Sequence, residues 1–177
     1  ATGNAQHNAG SIANLAAGGT DATSIRVGLA STATPGAGSG SVQLAFVSTG
    51  AGTTGAPDVA ATTPTGTIDV QSRIYTPATG SATGRTVDFG TVRVGDTVAA
   101  RNVMVTNTAA ATALNDTLRA DLSTIGGPVL QGGSPITGLG AGAAAAFSVS
   151  LNTAAAGLVD RSGTIGYRSQ TPDLADP

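Results

Sequence analysis

Ala143-Ala144-Ala145-Ala146-Phe147-Ser148-Val149-Ser150-Leu151 is the stretch on which the fold turns. Four alanines favour a helix, yet no capping residue precedes them and no apolar stripe with a period of 3.6 follows. The run passes straight into Phe147, Val149 and Leu151 alternating with serines, the period of two that a half-buried pleated strand requires. It is read as loop running into strand, and the other Ala-rich window, residues 109–113, is read the same way. Neither is a helix.

The same alternation recurs on both sides. Ile25, Val27 and Leu29 alternate with Arg26 and Gly28; Val42, Leu44 and Phe46 with Gln43 and Ala45; Ile68, Val70 and Ile74 with Asp69, Gln71 and Arg73. Val87 and Phe89, Val92 and Val94, Val103 and Val105, Leu118 and Leu122, and Ile165 and Tyr167 repeat it. Short strands punctuated by Gly, Pro, Asn and Asp, with almost no helix, predict an all-β fold, a β-sandwich or barrel with antiparallel sheets, of which the antiparallel β-sandwich is the expected form. Gly90 and Gly95 are placed at turns, and Asn107 at a strand end where its amide can satisfy loop backbone groups.

Composition narrows the chemistry. The 177 residues carry eight arginines, ten aspartates and no Lys, Glu, Cys or Trp, so charged groups make up 10%, against about 25% in an ordinary soluble domain. Without thiols there is no disulfide, Cys-ligated zinc or thiolate nucleophile. The single His7 lies in a polar stretch without partners for acid–base or metal chemistry. Scattered arginines form no phosphate-binding patch, which argues against nucleic acid, and no apolar run is long enough for a membrane helix. The chain opens at Ala1 without Met, so it is expected to be a processed or excised piece.

An internal repeat orders these strands. Gly10-Ser11-Ile12 with Leu15 matches Gly133-Ser134-Pro135-Ile136 with Leu139; Ile25 to Leu29 matches Phe147 to Leu151; Leu44-Ala45-Phe46-Val47-Ser48 matches Ile165-Gly166-Tyr167-Arg168-Ser169, at offsets of 121 to 124. Pro57-Asp58-Val59-Ala60 matches Pro172-Asp173-Leu174-Ala175 at 115. A period of about 115–120 residues divides the chain into one complete sandwich plus the C-terminal half of a preceding one. The expected bounds are 1–50 for the partial unit, 51–65 for a Gly/Thr/Pro linker and 66–177 for the complete unit.

Over roughly residues 85–170 the later unit resembles the ASH/HYDIN-type Ig-like repeats of bacterial cell-surface proteins, of the choice-of-anchor D kind. The resemblance rests on Val87-Asp88-Phe89-Gly90-Thr91-Val92-Arg93-Val94-Gly95, on Val103-Met104-Val105-Thr106-Asn107-Thr108, on Leu139-Gly140-Ala141-Gly142, and on Gly157 through Gly163-Thr164-Ile165-Gly166-Tyr167. It implies a seven-strand Ig-like sandwich and an extracellular or cell-surface location, and carries no catalytic residues.

The half unit poses the physical problem. Its inward set is Ile12, Leu15, Ile25, Val27, Leu29, Val42, Leu44 and Phe46, with no opposing sheet of its own. Leaving eight such side chains wet forfeits on the order of 10–20 kcal/mol, comparable to the whole stability of a domain, roughly 5–15 kcal/mol. The face is expected to be covered by further repeats of the same polypeptide, by strands from another copy of the chain, or by residues 65–75 folding back. Intersubunit exchange is heterologous and builds an open filament.

Other motifs carry little. Asp88-Phe89-Gly90 spells a kinase triplet in a chain without Lys or Glu, and the Gly-rich stretches complete no phosphate loop. Asp58, Asp173 and Asp176 lack the spacing of a calcium loop, Asn115-Asp116-Thr117 is a glycosylation sequon by pattern, and Thr62 to Thr67 reads as β-propensity. No catalytic set, metal site or cofactor is expected. The sequence points to a structural protein assembling end to end into a filament, stalk or surface layer, with an adhesin-type module recognising a glycan or surface protein as the alternative, disfavoured by the lack of an aromatic platform.

Overall fold

Strands and irregular segments make up the chain, and no helix occurs among the described residues, which in this computed structural model are 1–31, 33–61 and 66–174. Residues 62–65 of the expected linker, and Ala175 and Asp176, lie outside them. The chain divides into two units, Ala1–Ile74 and Tyr75–Pro177.

The second unit contains β8 (Gly80–Thr83), β9 (Arg101–Asn107), β10 (Thr117–Leu122), β11 (Val129–Gly132), β12 (Ile136–Leu139), β13 (Ala144–Leu151) and β14 (Ile165–Gln170), following the seven strands of the first. They form a four-stranded antiparallel sheet ordered β11-β13-β9-β8 and a three-stranded one ordered β12-β10-β14. Alternation does what the sequence demands of it. Val103 and Val105 of β9 and Phe147 and Val149 of β13 point into one core, where they meet Leu118 and Ala120 of β10 and Ile136 and Leu139 of β12. Phe147, Val105 and Leu118 are fully buried. The Ala-rich run is strand from Ala144 onward and pairs with β9, Phe147 opposite Val103. This arrangement is a β-sandwich.

Asn107 ends β9 fully buried. Its Oδ1 accepts from the backbone amides of Thr79 and Ala109, both at 3.2 Å, and its Nδ2 donates to the Leu139 carbonyl at 3.0 Å. One amide thus ties three loop segments across both sheets, the role its strand-end position suggests. Thr76 forms a parallel bridge with Asn115 before the chain crosses to pair as β8 with β9.

Two expected strands are absent. Val87 and Phe89 pack against the core from an irregular segment, and residues 84–100 form no ladder. Gly90 and Gly95, at φ of 66° and 85°, turn the chain too often there for two extended runs to persist.

The first unit is built differently. β1 (Thr2–Gly3), β4 (Gly36–Leu44) and β7 (Gly66–Ile74) form one sheet, with β4 central. β2 (Ala5–His7) pairs with β3 (Val27–Leu29), and β5 (Val47–Ser48) with β6 (Val59–Ala60). β4 and β7 pair antiparallel over all nine residues, from Gly36 opposite Ile74 to Leu44 opposite Gly66. Gly66–Ile74, expected to open the later unit, therefore lies within the first. Part of the expected linker is also structured, since Val59–Ala60 forms the β6 ladder.

Candidate functional site

One face of the β4–β7 ladder carries Gly36, Gly38, Gly40, Val42 and Leu44 beside Gly66, Ile68, Val70, Ser72 and Ile74. Side chains alternate with glycines across the register: Val70 lies opposite Gly40, Ile74 opposite Gly36, and Leu44 opposite Gly66. The glycines on β4 let the N-terminal strands lie almost on the sheet. A Cβ at Gly38 would run into the Asn4 amide, and one at Gly40 into the Thr2 carbonyl and the backbone of Ala5. Backbone covers Gly40 and the Asn4 side-chain amide covers Gly38, and little apolar side-chain volume enters there.

The price of that close approach is a thin core. Among the described residues, Ala5 and Val42 are the buried apolar residues of this unit, whereas the second unit buries eight. Of the eight side chains expected to face inward, Val42 is buried at 2% exposure. Ile25, Val27 and Leu44 are half-buried, and Ile12, Leu15, Leu29 and Phe46 are exposed. The expectation that this set has no opposing layer needs amendment: β2 and β3 pair with each other, β2 against β4's glycines, and β7 folds back onto β4. They fill one edge of β4 and leave much of the apolar set wet.

Val42, Leu44 and Phe46 are brought together, since Val42 is in register with Ile68, and the Phe46 ring and the Leu44 Cβ both lie against Gly66. Val27 and Leu29 lie on the β2–β3 ladder, and Ile12 and Leu15 in the irregular stretch before it. Phe46 is 48% exposed and Val59 62%, with Val47 and Ile68 exposed as well. Val59, Val47 and Ile68 lie outside the set expected to face inward. The period-two pattern around Ile68 marks a strand, but without β7's partner nothing marks which of its residues stay uncovered. β7 is also the outer strand of its sheet, paired only with β4 among the described residues.

The polar groups are structural. Asp21 organises the loop before β3, accepting from the amides of Thr23 and Ser24 at 2.9 Å and from the Ser24 hydroxyl at 2.7 Å; these bonds, the Ser24 hydroxyl first, lower its pKa from 3.8 to about 2. Arg119 grips Asp121 through Nε at 3.0 Å and Nη2 at 3.1 Å, which holds the Asp121 carboxyl below its usual value. The pair is well exposed and contributes little stability. Asn115 of the sequon donates to the Ala110 carbonyl and accepts from the Thr112 amide at 2.6 Å, so its amide already closes a loop. Asp88 accepts from the Gly90 amide at 2.7 Å in a local turn. The His7 Nδ1 accepts from the Ala9 amide.

Among the described residues no three His, Cys, Asp or Glu side chains gather as a metal site, and no helix is long and apolar enough to cross a membrane. No protein-family model, curated protein or solved structure matches the chain.

Proposed function

We propose that the protein is a structural, Ig-like repeat of an extracellular or cell-surface assembly, joined end to end through the first unit's apolar face. The partner is another copy of the chain or a further repeat of the same polypeptide, and the joint is β-strand complementation. One observation carries this reading: Phe46, Val47, Val59 and Ile68 stand exposed on a unit whose described residues include two buried apolar ones, Ala5 and Val42. That face lies beside β7, a nine-residue strand at the edge of its sheet among the described residues, the kind of template on which a further strand adds. A patch of this kind on a chain so poor in charge favours association over solvation.

Electron micrographs and sedimentation velocity of the purified chain test the proposal. The wild type is expected to form elongated particles, and Val27→Asp or Leu44→Asp to abolish them. Particles unchanged by both substitutions refute strand complementation at this face.

A further inference from the structure

The internal repeat, carried onto the structure, exposes a second acceptor. Shifted by 121 positions, β4 falls on 157–165, with Gly36 on Gly157, Ser41 on Ser162 and Leu44 on Ile165. In the first unit this stretch is a nine-residue strand because β7 pairs with it throughout. In the second unit residues 152–164 form no strand, and 154–164 are all exposed. Leu158 is 97% exposed. Beside them β14 is the outer strand of its sheet, paired only with β10 among the described residues.

The same place holds a cleft of about 970 Å³. Phe89, Leu122, Ile125, Val129, Val149 and Ile165 line it, with Arg85, Asp88 and Arg161 among the few charges. Its apolar walls belong to both sheets of the sandwich. An outer strand, an irregular segment whose repeat partner is a strand, and an apolar cleft coincide.

We infer that residues 157–165 are a strand acceptor, ordered when an extended peptide with the residue pattern of β7 pairs antiparallel beside them. The occupant is defined by that pattern: apolar side chains at alternate positions, as Ile68, Val70 and Ile74 are in β7, enter the cleft, while polar residues between them face water. Backbone hydrogen bonds to the edge supply affinity and the alternate side chains supply selectivity. This goes beyond the association proposed for the first unit and does not rest on it.

A synthetic peptide with the sequence of Gly66–Ile74, added to the full chain, tests the inference by hydrogen exchange and mass spectrometry. Amides of residues 157–165 are expected to slow by about tenfold or more. A scrambled peptide that loses the alternation is expected to leave them unchanged. Val159→Pro removes a backbone donor from a segment that is not strand in the free protein, and is expected to abolish the protection without altering exchange in the β9–β13 ladder. Equal protection by the scrambled peptide, or none by the native pattern, overturns the inference. Protection by dodecanoate but not by peptide would make the cleft a small-amphiphile site and overturn it. Protection rising with protein concentration alone, with exchange in β4 and β7 unchanged, would assign the cleft to another surface of a second copy and overturn it. None of these outcomes alters the particles tested through Val27 and Leu44.

Discussion

Two glycine-to-alanine substitutions in the first unit should change stability in opposite directions. A Cβ at Gly40 would sit 2.9 Å from the Ala5 Cβ and closer still to the Thr2 carbonyl oxygen and the Ala5 amide nitrogen. Two of these are backbone atoms, so relief requires β1 to move away from its partner β4 and β2 to lift off the sheet, at about 1–3 kcal/mol, the usual cost of overpacking. A Cβ at Gly28 in β3 meets nothing within 4 Å and needs no left-handed backbone. There Gly28→Ala removes unfolded-state entropy and should stabilise by about 0.4–1 kcal/mol. Native-state hydrogen exchange, read on peptides spanning β1–β2 and β4, measures both without a Trp probe. Gly40→Ala should weaken protection on both sides of the layer contact, and Gly28→Ala should strengthen or preserve it. A neutral Gly40→Ala, or two changes of the same sign, would refute the claim that backbone-on-backbone packing holds this unit together.

Phe147→Ala should cost the second unit about 3–5 kcal/mol, read as a lower urea midpoint for loss of β9–β13 protection. Asn107→Ala leaves the Thr79 amide and the Leu139 carbonyl without their partner, and should cost about 1–3 kcal/mol, seen as faster exchange in the loops it ties. The Asp21 carboxyl should titrate near pH 2 by NMR rather than at 3.8. Because its folded pKa is depressed, the turn it makes is fully held above the unfolded value and is lost as pH falls from about 4 through about 2; a midpoint at 3.8 would contradict the hydrogen bonds to Thr23 and Ser24.

The second unit was the more legible part of the chain. Phe147, Val149, Leu118 and Ala120 lie where their alternation places them, because in a half-buried strand periodicity alone decides which side chains face the core. Val87, Phe89, Val92 and Val94 carry the alternation of two strands that do not form, because two positive-φ glycines, Gly90 and Gly95, break the backbone that would carry them. The first unit resisted reading for another reason. Its organising contact is absence of side chains at Gly38 and Gly40, and glycine in a strand signals close backbone approach without naming what approaches. That Thr2–Ala5 would fill that place, and Gly66–Ile74 the edge beside it, depends on long-range pairing that no local pattern encodes.

Hydroxyl-radical footprinting of Phe46 across a dilution series addresses sealing of the first unit most directly, with buried Phe147 as internal reference. The account predicts that Phe46 is oxidised readily in dilute protein and becomes protected as particles form, while Phe147 stays protected throughout. Particles that assemble with Phe46 as reactive as in the dilute chain would contradict it.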